Sequence, residues 1–209
     1  MVNSLLYATL NRIRREKMVD EKPSFSNPFS VGVTGLAVAC FALAPVLTGL
    51  ADGKAGFIPW AIMFGGFAQL IGGVIDLRNK SILGGTALTM YGLLWISLGI
   101  EYILNITGAN WTTGSIIGGN IDIMLLLMSL GFTYAFASTN LATFLLLVHI
   151  DFAFLGLALT KLGVVNLAFP LGILVYSLGI FSIYAATAHL LNTHFGKKVL
   201  PMGPALIKK

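Results

Sequence analysis

The residues able to do chemistry are few, and nearly all lie in or beside long apolar runs. Asp151 stands in the middle of one run, with His149 two residues before it. An ionisable group at membrane depth is costly and normally faces a cavity or a partner. Asp151 therefore either relays protons or lines a pathway, or it is a structural carboxyl held neutral or partnered. Residues two apart on a helix point in different directions, so His149 and Asp151 do not touch and their spacing is not that of a metal site. His149 reads first as structural. Glu101 and Asp122 fall near the ends of their runs and read as solvated mouth residues. His189 and His194 lie at or beyond the end of the last run and read as interfacial. Gln69 is either a polar pathway group or half of an interhelical hydrogen bond. The sequence contains no metal-ligand cluster, phosphate loop, nucleophile elbow or dinucleotide glycine fingerprint, so no catalysis, metal or cofactor is expected.

The elements that must position these groups follow from composition. The chain has 209 residues, 56% hydrophobic and only 10% charged, with a mean hydropathy of +0.87. A soluble domain carries about a quarter charged residues, so a cytosolic enzyme, a disordered tail and a disulfide scaffold are excluded. Six segments, near 30–51, 57–77, 82–105, 117–137, 141–161 and 165–190, have the roughly 20 apolar residues that a membrane helix needs. The fold class expected is all-α, a polytopic membrane protein of six transmembrane helices. Short loops make successive helices antiparallel and leave no room for an extramembrane domain. All the lysines and arginines except Lys54 and Lys161 gather on the side of the two termini, which predicts that both termini are cytoplasmic. The net charge of +5 belongs to this orientation signal. It does not indicate nucleic acid, which needs a basic groove interleaved with aromatics.

Residues 1–26 form an N-terminal arm whose Leu5, Leu6, Leu10 and Ile13, beside Arg12, Arg14 and Arg15, suit either an interfacial helix or a frayed end. The membrane domain is expected over 27–203, with a basic tail over 204–209. No cleaved signal is expected. Cys40 reads as a small packing residue. Trp60, Trp111 and Phe57 near the span ends read as interfacial anchors. Gly65-Gly66 and Gly72-Gly73 on the second span, and Gly85, Gly92 and Gly99 on the third, make stripes of small residues at heptad spacing. In lipid such stripes permit close helix approach. Since no lysine or arginine lies at the centre of a span, an anion would be held only by helix N-termini and by hydroxyl, amide or phenol donors. That favours a small, weakly bound solute.

Four stretches resemble the acetate uptake transporter family, which includes bacterial succinate-acetate permeases and fungal acetate transporters. They are Asn27-Pro28-Phe29-Ser30-Val31-Gly32-Val33, Phe64-Gly65-Gly66-Phe67-Ala68-Gln69, Thr86-Ala87-Leu88-Thr89-Met90-Tyr91-Gly92 with Trp95, and Leu191-Asn192-Thr193-His194-Phe195-Gly196 with Val199-Leu200-Pro201. The resemblance covers residues 27 to about 203. It implies a six-helix protomer with its own pore, a homohexamer in the plasma (inner) membrane, and passage of acetate and related short monocarboxylates, in some members succinate, as a channel or a proton-coupled symporter. By motif position the family's constriction of Phe, Tyr and Leu becomes Leu36, Tyr91 and Phe152, so two of the three differ in type. Ser81 stands where the family has Asn, and Phe29-Ser30 where Ala-Pro is common. Tyr91 offers a phenol donor to a carboxylate, or it packs with its hydroxyl on a helix carbonyl. Asn27, Gln69, Thr86 and Asp151 are the polar candidates along the pathway, Asn27 being equally a plain helix cap. Ammonium or ammonia export, and a non-transporting signalling or scaffold role, are the rival readings. Membrane lipid and the small carboxylate are the expected partners.

Overall fold

The computed structural model describes residues 26–51, 54–108 and 115–208. The expected arm and Trp111 lie outside them. Among the described residues, six helices are long and apolar enough to cross a membrane: α1 Phe29–Thr48, α2 Ala55–Arg78, α3 Ile82–Ile106, α4 Ser115–Phe136, α5 Leu141–Lys161 and α6 Ala168–Phe195.

Their ends are set by local chemistry. Asn27 Oδ1 accepts the Phe29 N–H at 2.9 Å, and Asn140 Oδ1 accepts the Thr143 N–H at 2.9 Å, each capping donors that a helix start leaves orphaned. Gly49 (φ 74°) closes α1 in the left-handed conformation that suits glycine. This stops the helix short of the expected residue 51. By contrast α6 runs through Phe195, so His189 and His194 are helical. His189 is half-buried, with Nδ1 3.0 Å from Ser30 Oγ on α1. The last part of the chain folds back. Asn192 Nδ2 donates to Leu200 O at 2.8 Å and Asn192 Oδ1 accepts the Leu200 N–H at 2.9 Å, and Leu206 N–H reaches Ala137 O at 2.8 Å.

In the middle of α2 the sequence reading missed a change of register. Residues Ala61–Ala68 form a π-helical stretch between α-helical ends, a wide turn that is rare and often found at functional sites. It carries Gly65 and Gly66, and it brings α2 against α1 and α3. A Cβ on Gly65 would lie 2.6 Å from Trp95 and 2.8 Å from Ala39. The glycine stripes of α2 and α3 meet each other: a Cβ on Gly73 would reach the Thr89 amide at 2.5 Å, and one on Gly92 the Leu70 amide at 2.7 Å. Without side chains between them, these backbones touch, which in lipid replaces the hydrophobic force as the source of association.

Each helix packs on its neighbours in the chain, and α6 closes back onto α1, so the six form a ring in sequence order. The sparsest seam is α3 to α4. Leu36, Cys40, Leu43, Tyr91, Trp95, Leu146, Ile150, Phe154, Val175 and Leu178 form the buried interior. The outside is covered by exposed large hydrophobics such as Ile71, Met124 and Phe169, as a lipid-facing surface requires.

Candidate functional site

Inside the ring a cavity of about 440 Å³ occupies the half distant from the start of α1 and the end of α6. Its walls are aliphatic and aromatic: Leu36, Leu43, Leu94, Trp95, Phe154, Val175 and Leu178. Charge is confined to the outer end, where Lys54, Glu101, Asp122 and Lys161 line it. Lys161 Nζ lies 2.9 Å from Asp122 Oδ2, and Lys54 lies 5.6 Å from the Tyr102 ring centroid, within cation–π range. Asp122 is thus a buried, ion-paired residue of the mouth rather than a solvated one. The basic partner comes from the end of the next helix, which brings it beside α4 through the tight antiparallel pairing of α4 with α5.

A second, much smaller cavity of about 40 Å³ lies toward the start of α1, lined by Phe29, Val33, Gln69, Leu88, Phe136 and Thr143 among others. Among the described residues, three side chains belong to both cavities: Leu36, Tyr91 and Ile150. Each is at most 6% exposed. They form the partition between the two spaces. Tyr91 is held in it by an edge-on contact with Phe132 (5.9 Å) and a tilted one with Phe154 (6.2 Å).

Of the three residues expected at a constriction, Leu36 and Tyr91 line both cavities and Phe152 lines neither. Phe152 is 58% exposed and lines a groove on the outer surface with Leu155, Leu171 and Leu174. A step of two residues turns a helix by roughly 200°, so Ile150 and Phe152 cannot share a face. The inward row on α5 is Leu146, Leu147, Ile150, Ala153 and Phe154, and Ile150 takes the third position of the partition.

The polar candidates separate in the same way. Asn27 is exposed and caps α1. Gln69 is buried and lines the smaller cavity, with Oε1 unpartnered among the described residues. Thr86 is half-buried and lines neither cavity. Asp151 also lines neither. It lies behind Tyr91, where Thr133 donates to its Oδ2 at 2.7 Å. Tyr91 donates its hydroxyl to Ser129 Oγ at 3.0 Å, not to the helix carbonyl of the alternative reading. Ser129 and Thr133 were missed. Their signal is two hydroxyls four residues apart, on one face of α4, within an otherwise apolar run. His149 hydrogen-bonds within its own helix, with Nδ1 2.7 Å from Leu145 O, and its ring lies 4.7 Å from that of Phe181 on α6.

Residues 11–203 match the profile of the GPR1/FUN34/yaaH family. The chain belongs to that family. Among curated relatives it is 28% identical over 184 residues to ammonia transport outward protein 2 of Saccharomyces cerevisiae, covering 81% of this chain and 64% of that protein. It is 25% identical over 182 residues to the succinate-acetate/proton symporter SatP of Escherichia coli, covering 85% of this chain and 95% of that one. It is 28% identical over 190 residues to acetate permease A of Emericella nidulans, covering 84% of this chain and 63% of that one. The chain thus spans less than two thirds of the length of the first and last of these. The solved structure titled bacterial acetate channel SatP superposes with a TM-score of 0.81 at 22% identity, covering 86% of this chain and all of the other. The six-helix fold is shared with it.

Within the family frame, the four stretches named above have distinct structural work in this chain. The first carries the α1 cap, the second the π-helical stretch, the third Tyr91, and the fourth the Asn192 clamp on the returning tail.

Proposed function

We propose that this chain transports acetate and related short monocarboxylates across the plasma membrane through the interior of each protomer, in a homohexamer with cytoplasmic termini. The observation that carries this reading is the pair of stacked cavities divided by Leu36, Tyr91 and Ile150. A ring of two aliphatic side chains and one phenol opposes a hydrated ion, because it offers almost nothing in exchange for water. A small solute with a methyl and a carboxyl end meets it on both terms. Leu36 and Ile150 take the methyl, and Tyr91 takes the polar end. The names of the bacterial and Emericella relatives support the same substrate class.

In this orientation the larger cavity opens outward, and its two lysines and two carboxylates form the mouth. An interior-negative potential opposes entry of a bare anion by about 2.3 kcal/mol per 100 mV. Uphill uptake then needs a proton, and downhill uptake needs only consumption inside. The test is uptake of radiolabelled acetate into proteoliposomes of the purified protein. Uptake above that of empty vesicles, inhibited by propionate, is expected, and uptake equal to empty vesicles overturns the reading.

Ammonia export is the second reading, favoured by the similarity to the yeast protein and by the apolar character of the larger cavity. Inhibition by ammonium without inhibition by propionate would select it.

A further inference from the structure

Behind the partition, outside both cavities, side chains of three helices form one hydrogen-bonded line. Tyr91 of α3 donates to Ser129 Oγ of α4 at 3.0 Å. Ser129 is hydrogen-bonded in turn to the Asp151 carboxyl of α5, and Thr133 donates to Asp151 Oδ2 at 2.7 Å. Ser129 is wholly buried, and Tyr91, Thr133 and Asp151 are at most 9% exposed. Asp151 Oδ1 has no hydrogen-bond partner among the described residues. Ser129 and Thr133 of α4 face this carboxyl, with Tyr91 of α3 beyond Ser129. His149, the titratable neighbour on the same helix, is engaged with Leu145 and Phe181. The ion pair of Asp122 and Lys161 belongs to the cavity mouth.

A hydroxyl has one proton to give, so the direction of this line is decided at its end. With Asp151 ionised, Ser129 and Thr133 both donate to it, Ser129 accepts from Tyr91, and the phenol oxygen offers only lone pairs to the partition. With Asp151 protonated, the line can run the other way. Asp151 donates to Ser129, Ser129 donates to Tyr91, and the Tyr91 proton turns toward the passing solute. A carboxylate meets a donor only in this second state.

We propose that Asp151 holds the proton that accompanies a monocarboxylate past Leu36, Tyr91 and Ile150, with Ser129 and Tyr91 as the path between them. The inference rests on the monocarboxylate reading above. Loading is a proton transfer along the line. A hydronium or acid molecule at the partition gives a proton to the Tyr91 oxygen, the Tyr91 proton passes to Ser129, and the Ser129 proton passes to Asp151. One O–H bond breaks on the donor and one forms on Asp151, while Tyr91 and Ser129 each lose one and gain one. The carboxylate then binds at the Tyr91 hydroxyl. Return of the proton along the same path makes the neutral acid, which leaves, and Asp151 is ionised again. Asp151 never touches the solute, which is why it can lie outside both cavities.

The experiment uses the purified full chain in proteoliposomes that enclose a pH-sensitive dye, with the membrane potential clamped by potassium and valinomycin and empty vesicles subtracted. Labelled acetate and internal pH are followed together. The native protein is expected to bring in a proton with each acetate and to be indifferent to an interior-negative clamp. Asp151→Asn supplies a permanent amide donor to Ser129, so acetate is expected to pass without its proton and to be slowed by the clamp. Ser129→Ala keeps the carboxyl but cuts the line, and the same loss of coupling is expected. Ser129→Ala alone decides if Asp151→Asn does not assemble. Proton entry preserved in the variants, or absent in a native protein that does carry acetate, overturns the inference. Native vesicles that carry no acetate overturn the transport reading itself, before any variant is compared.

Discussion

Ile150 and Phe152 lie two residues apart on α5 and face opposite ways. Ile150 is 5% exposed and divides the two cavities, whereas Phe152 is 58% exposed on the outer surface. The helix turn between them decides which one a passing solute meets. Replacing Ile150 by Ala is expected to widen the partition and raise the rate for propionate and butyrate relative to acetate. Phe152→Ala is expected to leave that ratio unchanged. Competition against labelled acetate in proteoliposomes checks both. Equal effects of the two substitutions would contradict the placement of α5.

Gly65 sits in the π-helical stretch of α2, with Trp95 and Ala39 where its Cβ would be. Neither neighbour has a flexible end to withdraw, so Gly65→Ala is expected to destabilise by about 1–3 kcal/mol, the usual cost of overpacking. Gly56, with nothing within 4 Å of such a Cβ, is the control. Thermal melts in detergent should separate them, Gly65→Ala melting lower and Gly56→Ala close to the native protein.

The ion pair between Lys161 and Asp122 is asymmetric, since the lysine side chain is 34% exposed and the aspartate side chain 3%. Removing Lys161 strands a buried carboxylate, which costs more than the pair itself is worth. Lys161→Met is therefore expected to be less stable than the double variant Lys161→Met, Asp122→Asn. A double-mutant cycle of detergent melts checks this, and additive effects would argue against a coupled pair.

Asn192 clamps the returning tail through Val199 and Leu200. Asn192→Ala leaves those backbone groups to water and is expected to free the segment beginning at Lys197. Trypsin should then cut after Lys197 and Lys198 faster than in the native chain, while the six helices remain protected.

The six spans were legible because a helix in lipid must satisfy its own backbone and cover about 20 residues with apolar side chains. The glycine stripes were legible for a related reason, since their spacing alone places them on one face. Short motifs single out Asn27, Leu36 and Tyr91, of which Leu36 and Tyr91 line both cavities. The π-helical stretch was not legible. Residues Ala61–Ala68 are apolar and glycine-containing, and nothing in that pattern distinguishes one hydrogen-bond register from another. Ser129 and Thr133 were passed over because a hydroxyl in an apolar run is unremarkable until its partner is known, and Asp151 lies on a different helix.

By itself, then, the sequence determined the number of helices, their lengths, their antiparallel order and where their backbones can approach closely. Only the tertiary structure decided the rotation of each helix about its own axis. In a soluble protein a polar face marks the outside, but these helices are apolar all round, so composition carries no inward direction. That rotation put Ile150 rather than Phe152 between the cavities, paired Asp122 with Lys161, and joined Tyr91 to Asp151 through Ser129.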